Sequence, residues 1–307
     1  NYQMFQVYQK YDVEGQKAFM DHLLKYLEYT PDWGYQNETE HPFTDWVCEN
    51  DCRTTTKYLE DNVVSAIFST IHECGHAWYE HNIDPEYDGM ILSNGVSSGM
   101  HESESRLCEN YLGRTKAFWE ANYPRLQQIF PEQLGDVSTE DFVRAVNVSR
   151  PTLIRTEADE LTYALHIMVR YELERRVMAG ELAVHELPAE WNRLYREYLG
   201  VEVPDDAHGV LQDSHWSGGS IGYFPSYAFG SAYGAQFLKK MKETVDVERC
   251  VAEGNFGPIN DWNREHIWQY GSLYTPPEIL ERVLGEPFDP LVYVEYLKNK
   301  AKDIYGI

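Results

Sequence analysis

His72-Glu73-Cys74-Gly75-His76 constrains this chain more than any other stretch. On a helix, residues four apart lie on one face, so His72 and His76 can point two imidazoles at one metal ion. Glu73 stands beside the first His, where a carboxylate can hold and deprotonate a water. The surroundings support a helix. Val63, Val64, Ile67, Ile71 and Ala77 recur mostly at three- and four-residue steps, which predicts a helix from Tyr58 to about His81. Gly75 weakens a helix interior, so its presence points to close backbone packing. Cys74 falls off the His face and reads as a packed core thiol. The competing reading of the two histidines is a pair of hydrogen-bonded core residues.

Two His leave a catalytic zinc one protein ligand short. A metzincin would supply a third His six residues after His76 and a Gly three residues after it. Asn82 and Tyr79 occupy those positions and exclude that subclass. A Glu fits better, and Glu102, in the next helix start, is the candidate. From spacing alone, an acid favoured by the helix dipole is an equal reading of Glu102.

Elsewhere the pattern is mainly α, with one small β element before the metal helix. Residues 14–29 read as a helix. Residues 43–57 read as a hairpin or strand pair around Glu49-Asn50-Asp51. Residues 84–100, with their Pro and Gly, read as a loop. A helix from Met100 to about Ala121 follows. Ser138-Thr139-Glu140-Asp141 is a helix start. Pro151 fits the first turn of a long helix ending near Ala179. Pro188 and Pro225 open two more helices, separated by a Gly-rich loop over 200–224, and short helices complete the chain.

A chain of 307 residues with 43% apolar residues can bury a core. Its formal net charge of −24 repels phosphate backbones, which argues against nucleic-acid and anionic-membrane partners. It reads mainly as solubility, with a weak bias towards neutral or basic peptides. Five Cys is an odd, low count that suits free thiols in a reducing, cytoplasmic compartment. No apolar run approaches the ~18 residues of a membrane span. The N-terminal stretch carries no signal-peptide pattern.

Several segments together resemble one family. They are His41-Pro42-Phe43; Asp51-Cys52-Arg53-Thr54-Thr55; the 72–80 stretch with Ser98 to Arg106 and Glu109-Asn110; Ile154 to Tyr163; Gly209 to Trp216; and Gly222 to Tyr227. Their content and order are similar to the carboxypeptidase Taq family of zinc metallocarboxypeptidases. The resemblance implies a mainly α, zincin-like fold. It implies His72, His76 and Glu102 as metal ligands and Glu73 as general base and acid. It also implies one Zn²⁺, with Co²⁺ as a substitute, peptide substrates with a free C-terminus, and a homodimer. This chain is shorter than the family's usual length. The expectation is therefore a single catalytic domain over 1–307 without the family's N-terminal helical region.

The Gly209–Tyr227 region also resembles angiotensin-converting enzyme, a more distant relative. That likeness makes His215 and Tyr223 the candidate oxyanion donors. The alternative for His215-Trp216 is a structural turn beside aromatic core. Tyr227, four residues after Tyr223, is a competing donor. Arg suits a C-terminal carboxylate through bidentate bonds. Arg155 is the first candidate by resemblance, against an ion pair with Glu157, Asp159 or another acid. Arg53 is the second, against a structural role at the end wall of the groove. Ser103, Ser105 and Asp159 are candidates to support the metal ligands through hydrogen bonds. The expected function is removal of C-terminal residues from peptides. The rivals are an endopeptidase or dipeptidase on the same centre, and a shortened non-catalytic relative that binds metal or a partner.

Overall fold

The helical spacing that dominates the sequence is realised in a computed structural model, which describes residues 9–48 and 50–307. The helices are α1 Val13–Tyr26, α2 Val63–His81, α3 Ser98–Arg106, α4 Lys116–Ile129, α5 Pro131–Leu134, α6 Thr139–Val146, α7 Glu160–Met178 and α8 Leu187–Leu199. They continue as α9 Pro225–Met241, α10 Val247–Glu253, α11 Gly257–His266, α12 Pro276–Leu284 and α13 Pro290–Tyr305. Strands β1 Gly34–Glu38, β2 Thr44–Cys48 and β3 Asp51–Thr56 form one sheet in the order β1-β3-β2. The architecture is the mainly α, zincin-like fold with a small β element. Among the described residues no helix is long and apolar enough to cross a membrane.

The chain divides into two compact units. One comprises the chain up to Val146 together with Gly230–Ile307; the other is Asn147–Phe229. In the first, α2 runs through the centre. Thirteen of its 19 residues are buried, the pattern of a helix enclosed by neighbours rather than lying on a surface. It packs on β3 and β2 on one side and on α3 on another. Ile67, Ile71, Cys74 and Trp78 join Phe19, Leu23, Leu107, Phe118 and Trp268 in one apolar core. In the second unit, α7 and α8 pack through Val169, Leu173, Trp191, Leu194 and Tyr195.

Several boundaries differ from the expectation. The 58–81 helix begins only at Val63. The carbonyls of Leu59 and Glu60, just before it, accept from Gln16 Nε2 (3.0 Å) and Tyr11 N (2.6 Å), which holds that segment as a strap against α1. The hairpin over 43–57 forms as β2 and β3, although Glu49 of its expected turn lies outside the described residues. β1 pairs parallel with β3 and had no apolar alternation to betray it: its sequence is Gly-Tyr-Gln-Asn-Glu.

The Met100–Ala121 helix is broken. α3 widens into a π-helical turn over Leu107–Leu112, and α4 then starts afresh where Thr115 Oγ1 accepts from Phe118 N at 3.2 Å. α7 begins at Glu160, not near Pro151. The Asp159 carboxylate accepts from Leu161 N (2.9 Å) and Thr162 N (3.1 Å), and a side-chain cap of this kind sets a helix start more strongly than a permissive Pro.

The close contact expected at Gly75 is between α2 and α3. A Cβ there would lie 2.5 Å from Glu104 O and 2.6 Å from Ser105 Cα, both backbone atoms. Gly75→Ala should gain about 1 kcal/mol of helix propensity. The forced separation of the helices should outweigh this, giving a net loss of roughly 1–3 kcal/mol. Urea unfolding of the two proteins checks the sign.

Candidate metal centre

One turn of α2 separates His72 from His76, and their rings stand 4.9 Å apart by centroid. α3 carries Glu102 opposite them. His72 Nε2 lies 3.8 Å from Glu102 Oε2, and His76 Nε2 lies 4.0 Å from Glu102 Oε1. The three residues each offer a ligand atom within 4.8 Å of the others. A tetrahedral zinc with bonds of about 2.1 Å holds its ligand atoms about 3.4 Å apart, so small side-chain rotations close the set. Two neutral imidazoles and one carboxylate are the donor types of such a site, and the cluster fits a divalent ion of this kind.

The electrostatics agree. Burial pushes the His76 pKa well below its usual value, which keeps the ring neutral and able to ligate. For His72, burial acts the same way, but the bond to Glu109 and the charge of Glu102 outweigh it and raise the pKa. Glu109 Oε2 lies 2.9 Å from His72 Nδ1, leaving Nε2 for the ion. Glu109 sits in the π-helical turn and is held ionised, its pKa driven down despite burial by Arg106, His72 and Arg114. Glu73 is buried beside His72. Its pKa is raised by burial, opposed by His72 and by Thr44 of β2. Thr44 Oγ1 lies 2.6 Å from Glu73 Oε2 and 3.1 Å from its carbonyl oxygen.

The second unit gathers the other candidates. Arg155 Nε and Nη2 donate to Asp213 Oδ1 (2.9 and 2.7 Å), and Nη1 donates to Tyr163 Oη (2.9 Å). Arg170, fully buried on α7, donates to Asp213 Oδ2 (2.6 Å) and Gln212 Oε1 (2.9 Å). His215 Nε2 lies 3.3 Å from Tyr227 Oη, and its ring lies 5.5 Å from that of Tyr223. The Arg155 guanidinium lies 5.0 Å from the Tyr227 ring. Arg155, His215, Tyr223 and Tyr227 thus form one cluster. Arg53, in the first unit, is exposed on β3 and bidentate to Asp51 (2.8 and 2.6 Å).

A sequence profile for carboxypeptidase Taq (M32) metallopeptidases matches residues 1–301. The chain belongs to that family. It is 45% identical to carboxypeptidase 1 of Bacillus subtilis over 293 residues, 95% of this chain and 58% of that protein. It is 44% identical to thermostable carboxypeptidase 1 of Thermus thermophilus over 301 residues, 98% of this chain and 59% of that protein. The crystal structure of an M32 carboxypeptidase from Deinococcus radiodurans superposes with a TM-score of 0.95 at 40% identity, covering 99% of this chain and 61% of that one. A Pyrococcus furiosus carboxypeptidase superposes at 0.93 with 37% identity, over 96% and 60%. The chain therefore spans about 60% of the length of the relatives it matches.

Within this M32 chain, the supporting residues differ in part from those expected. Ser105 Oγ does reach Glu102 Oε2, at 3.3 Å. Ser103 instead bonds Met100 O and Glu104, and Asp159 caps α7. The partner of His72 is Glu109. A signal for it was present: Arg106 follows Glu102 by four residues and precedes Glu109 by three, the spacing of neighbours on a helix. Nothing local marks Thr44 or Arg114. The acid that meets Arg155 is Asp213, not Glu157 or Asp159.

Removing Asp213 would leave two buried guanidiniums facing each other. Asp213→Ala should therefore cost about 3–5 kcal/mol of stability, measured by denaturant unfolding. A loss under about 1 kcal/mol, the range of an exposed pair, would contradict the buried geometry.

Proposed function

We propose that this M32 chain is the catalytic part of a zinc metallocarboxypeptidase that hydrolyses the C-terminal peptide bond. The observation that carries the proposal is the convergence of His72, His76 and Glu102 beside a buried Glu73. Zn²⁺ held by those three residues, or Co²⁺ in its place, supplies a Lewis acid that acidifies a water and polarises the scissile carbonyl. Glu73 takes the water's proton on its carboxylate and returns it to the leaving amine. Its raised pKa suits the second of these tasks, and the Thr44 hydroxyl holds its rotamer. His215 and Tyr223 are the proposed donors to the oxyanion, with Tyr227 braced against His215.

Arg155 is the proposed partner of the substrate carboxylate. Arg155 and Arg170 share the single carboxylate of Asp213, so two positive charges meet one negative and the triad keeps a net positive charge. His166 beside it adds no charge, because burial and Arg170 lower its pKa to about 3. Arg53 suits this role less well, since Asp51 already balances its charge. The peptide partner follows from the relatives, which are named carboxypeptidases. The net charge of −24 argues against nucleic-acid and anionic-membrane partners. A homodimer is proposed from the family resemblance, and light scattering on the purified chain checks it. A cytoplasmic location is proposed from the five unbridged cysteines, and fractionation checks that.

Peptide digestion followed by mass spectrometry tests the activity. Single C-terminal residues should be released from free peptides and none from the same peptides amidated. Internal cleavage of amidated peptides would instead identify an endopeptidase. Glu73→Gln should lower kcat by about 10²–10⁴-fold while zinc content stays unchanged.

A further inference from the structure

Two guanidinium groups stand behind the imidazole of His72, in a place where a cation should hinder binding of a metal cation. Arg106 Nη1 donates to Glu109 Oε2 at 2.8 Å, and its Nε lies 3.8 Å from Glu102 Oε2. Arg114 Nη2 donates to the other oxygen, Glu109 Oε1, at 3.3 Å. Arg114 is itself anchored. Arg114 Nε donates to Asn110 Oδ1 (3.0 Å), its Nη1 donates to Val146 O (2.6 Å), and its guanidinium lies 3.7 Å from the Phe68 ring centre. Arg106 lies on α3 in the same turn as Glu102. The two oxygens of Glu109 are thus gripped from two sides, and Oε2 also meets His72 Nδ1.

The backbone is shaped to allow this grip. Glu109 and Asn110, which receive Arg114 at neighbouring positions, both lie in the π-helical turn, a rare form associated with functional sites. Gly113 closes that turn by donating its N–H to Cys108 O at 2.7 Å. A Cβ on Gly113 would lie 2.9 Å from the carbonyl oxygens of both Cys108 and Glu109. A larger residue would push the chain away where Arg114 must turn back towards Glu109.

We propose that Arg106 and Arg114 are positioning residues of the metal centre: by clamping Glu109 they fix the orientation of His72 and tighten metal binding, although each is itself a cation. This rests on the reading of His72, His76 and Glu102 as the metal ligands. The clamp and simple charge repulsion predict opposite signs. If the arginines act only as nearby charges, removing one strengthens metal binding. If they act through Glu109, removing one weakens it.

The test is the Zn²⁺ affinity of the 307-residue chain, measured by competition with a chromophoric chelator. Arg106→Gln and Arg114→Gln are each made alone and in a Glu109→Gln background. Each single variant should weaken zinc binding about tenfold, the usual scale for a lost partner of a metal ligand. In the Glu109→Gln background the same changes should cause no further loss. Arg106→Lys and Arg114→Lys, which keep the charge but lack the fork, should weaken binding as well. Thermal unfolding of the metal-free variants identifies any that fail to fold, and the Lys variants then carry the test.

Tighter binding in the single variants would overturn the inference, as would an equal loss with Glu109 already replaced. His76→Ala separates this failure from failure of the site itself. If that change leaves zinc binding intact, the metal is not held at this cluster, and both readings fall. If it abolishes binding while the Arg variants bind as the parent does, only the clamp is wrong.

Discussion

α3 lies against α2 at backbone distance, and the candidate centre exists because of that approach. Gly75 presents only a hydrogen towards Glu104 O and Ser105 Cα, so the two helices meet without intervening side chains. On the other flank of α3, a Cβ at Gly230 would collide with Glu102, and one at Gly234 would lie 3.1 Å from Ser103 O. α3 is thus held between two helices that offer glycine at the points of contact. Its own sequence is polar, and Glu102, Ser103, Glu104 and Ser105 are all buried. Apolar burial, through Met100, accounts for only part of its position. The close fit allows its polar groups to find partners: Trp268 Nε1 donates to Glu104 at 2.8 Å, and both serines bond within the turn.

Two sets of buried charges in this protein are held in shared groups. Around His72 the carboxylates Glu102 and Glu109 meet Arg106 and Arg114. In the second unit Asp213 meets Arg155 and Arg170. Unpaired, each of these charges would be costly in a buried setting. Shared, they stiffen the side chains that hold them, among them residues of the proposed site. The arrangement contrasts with the acidic surface, where ion pairs such as Arg196–Glu202 are exposed and contribute little. Glu104 is buried among hydrogen-bond donors instead: burial raises its pKa to about 7, opposed by the bonds from Trp268 and Ser103.

Helices with local punctuation were legible. α1, α6, α8 and α9 lie close to where periodicity, capping residues and Pro place them. Failures occurred where a distant contact overrode a local signal. Tyr58 to Asn62 continue an apolar-periodic pattern, but Gln16 of α1 and Tyr11 just before it take up the carbonyls of Leu59 and Glu60. Leu107 to Leu112 suit an α-helix, yet they widen into a π-helical turn beside Glu109 and Arg114. β1 is polar because it lies at a sheet edge, so it lacks the alternation that marks a half-buried strand.

The sequence by itself determined the candidate metal-binding pattern and the family. His72, Glu73 and His76 share one helix, where a spacing of one and four residues has a single geometric meaning. The order of the motifs carried the family. Tertiary structure alone decided what surrounds those residues. Glu102 reaches the histidines from another helix, Thr44 reaches Glu73 from a strand 29 residues earlier, Glu109 meets His72 from the π-helical turn, and Asp213 meets Arg155 from 58 residues away. Each of these contacts depends on how closely two backbones approach. A periodicity records which face of a helix is buried, but not what lies against it.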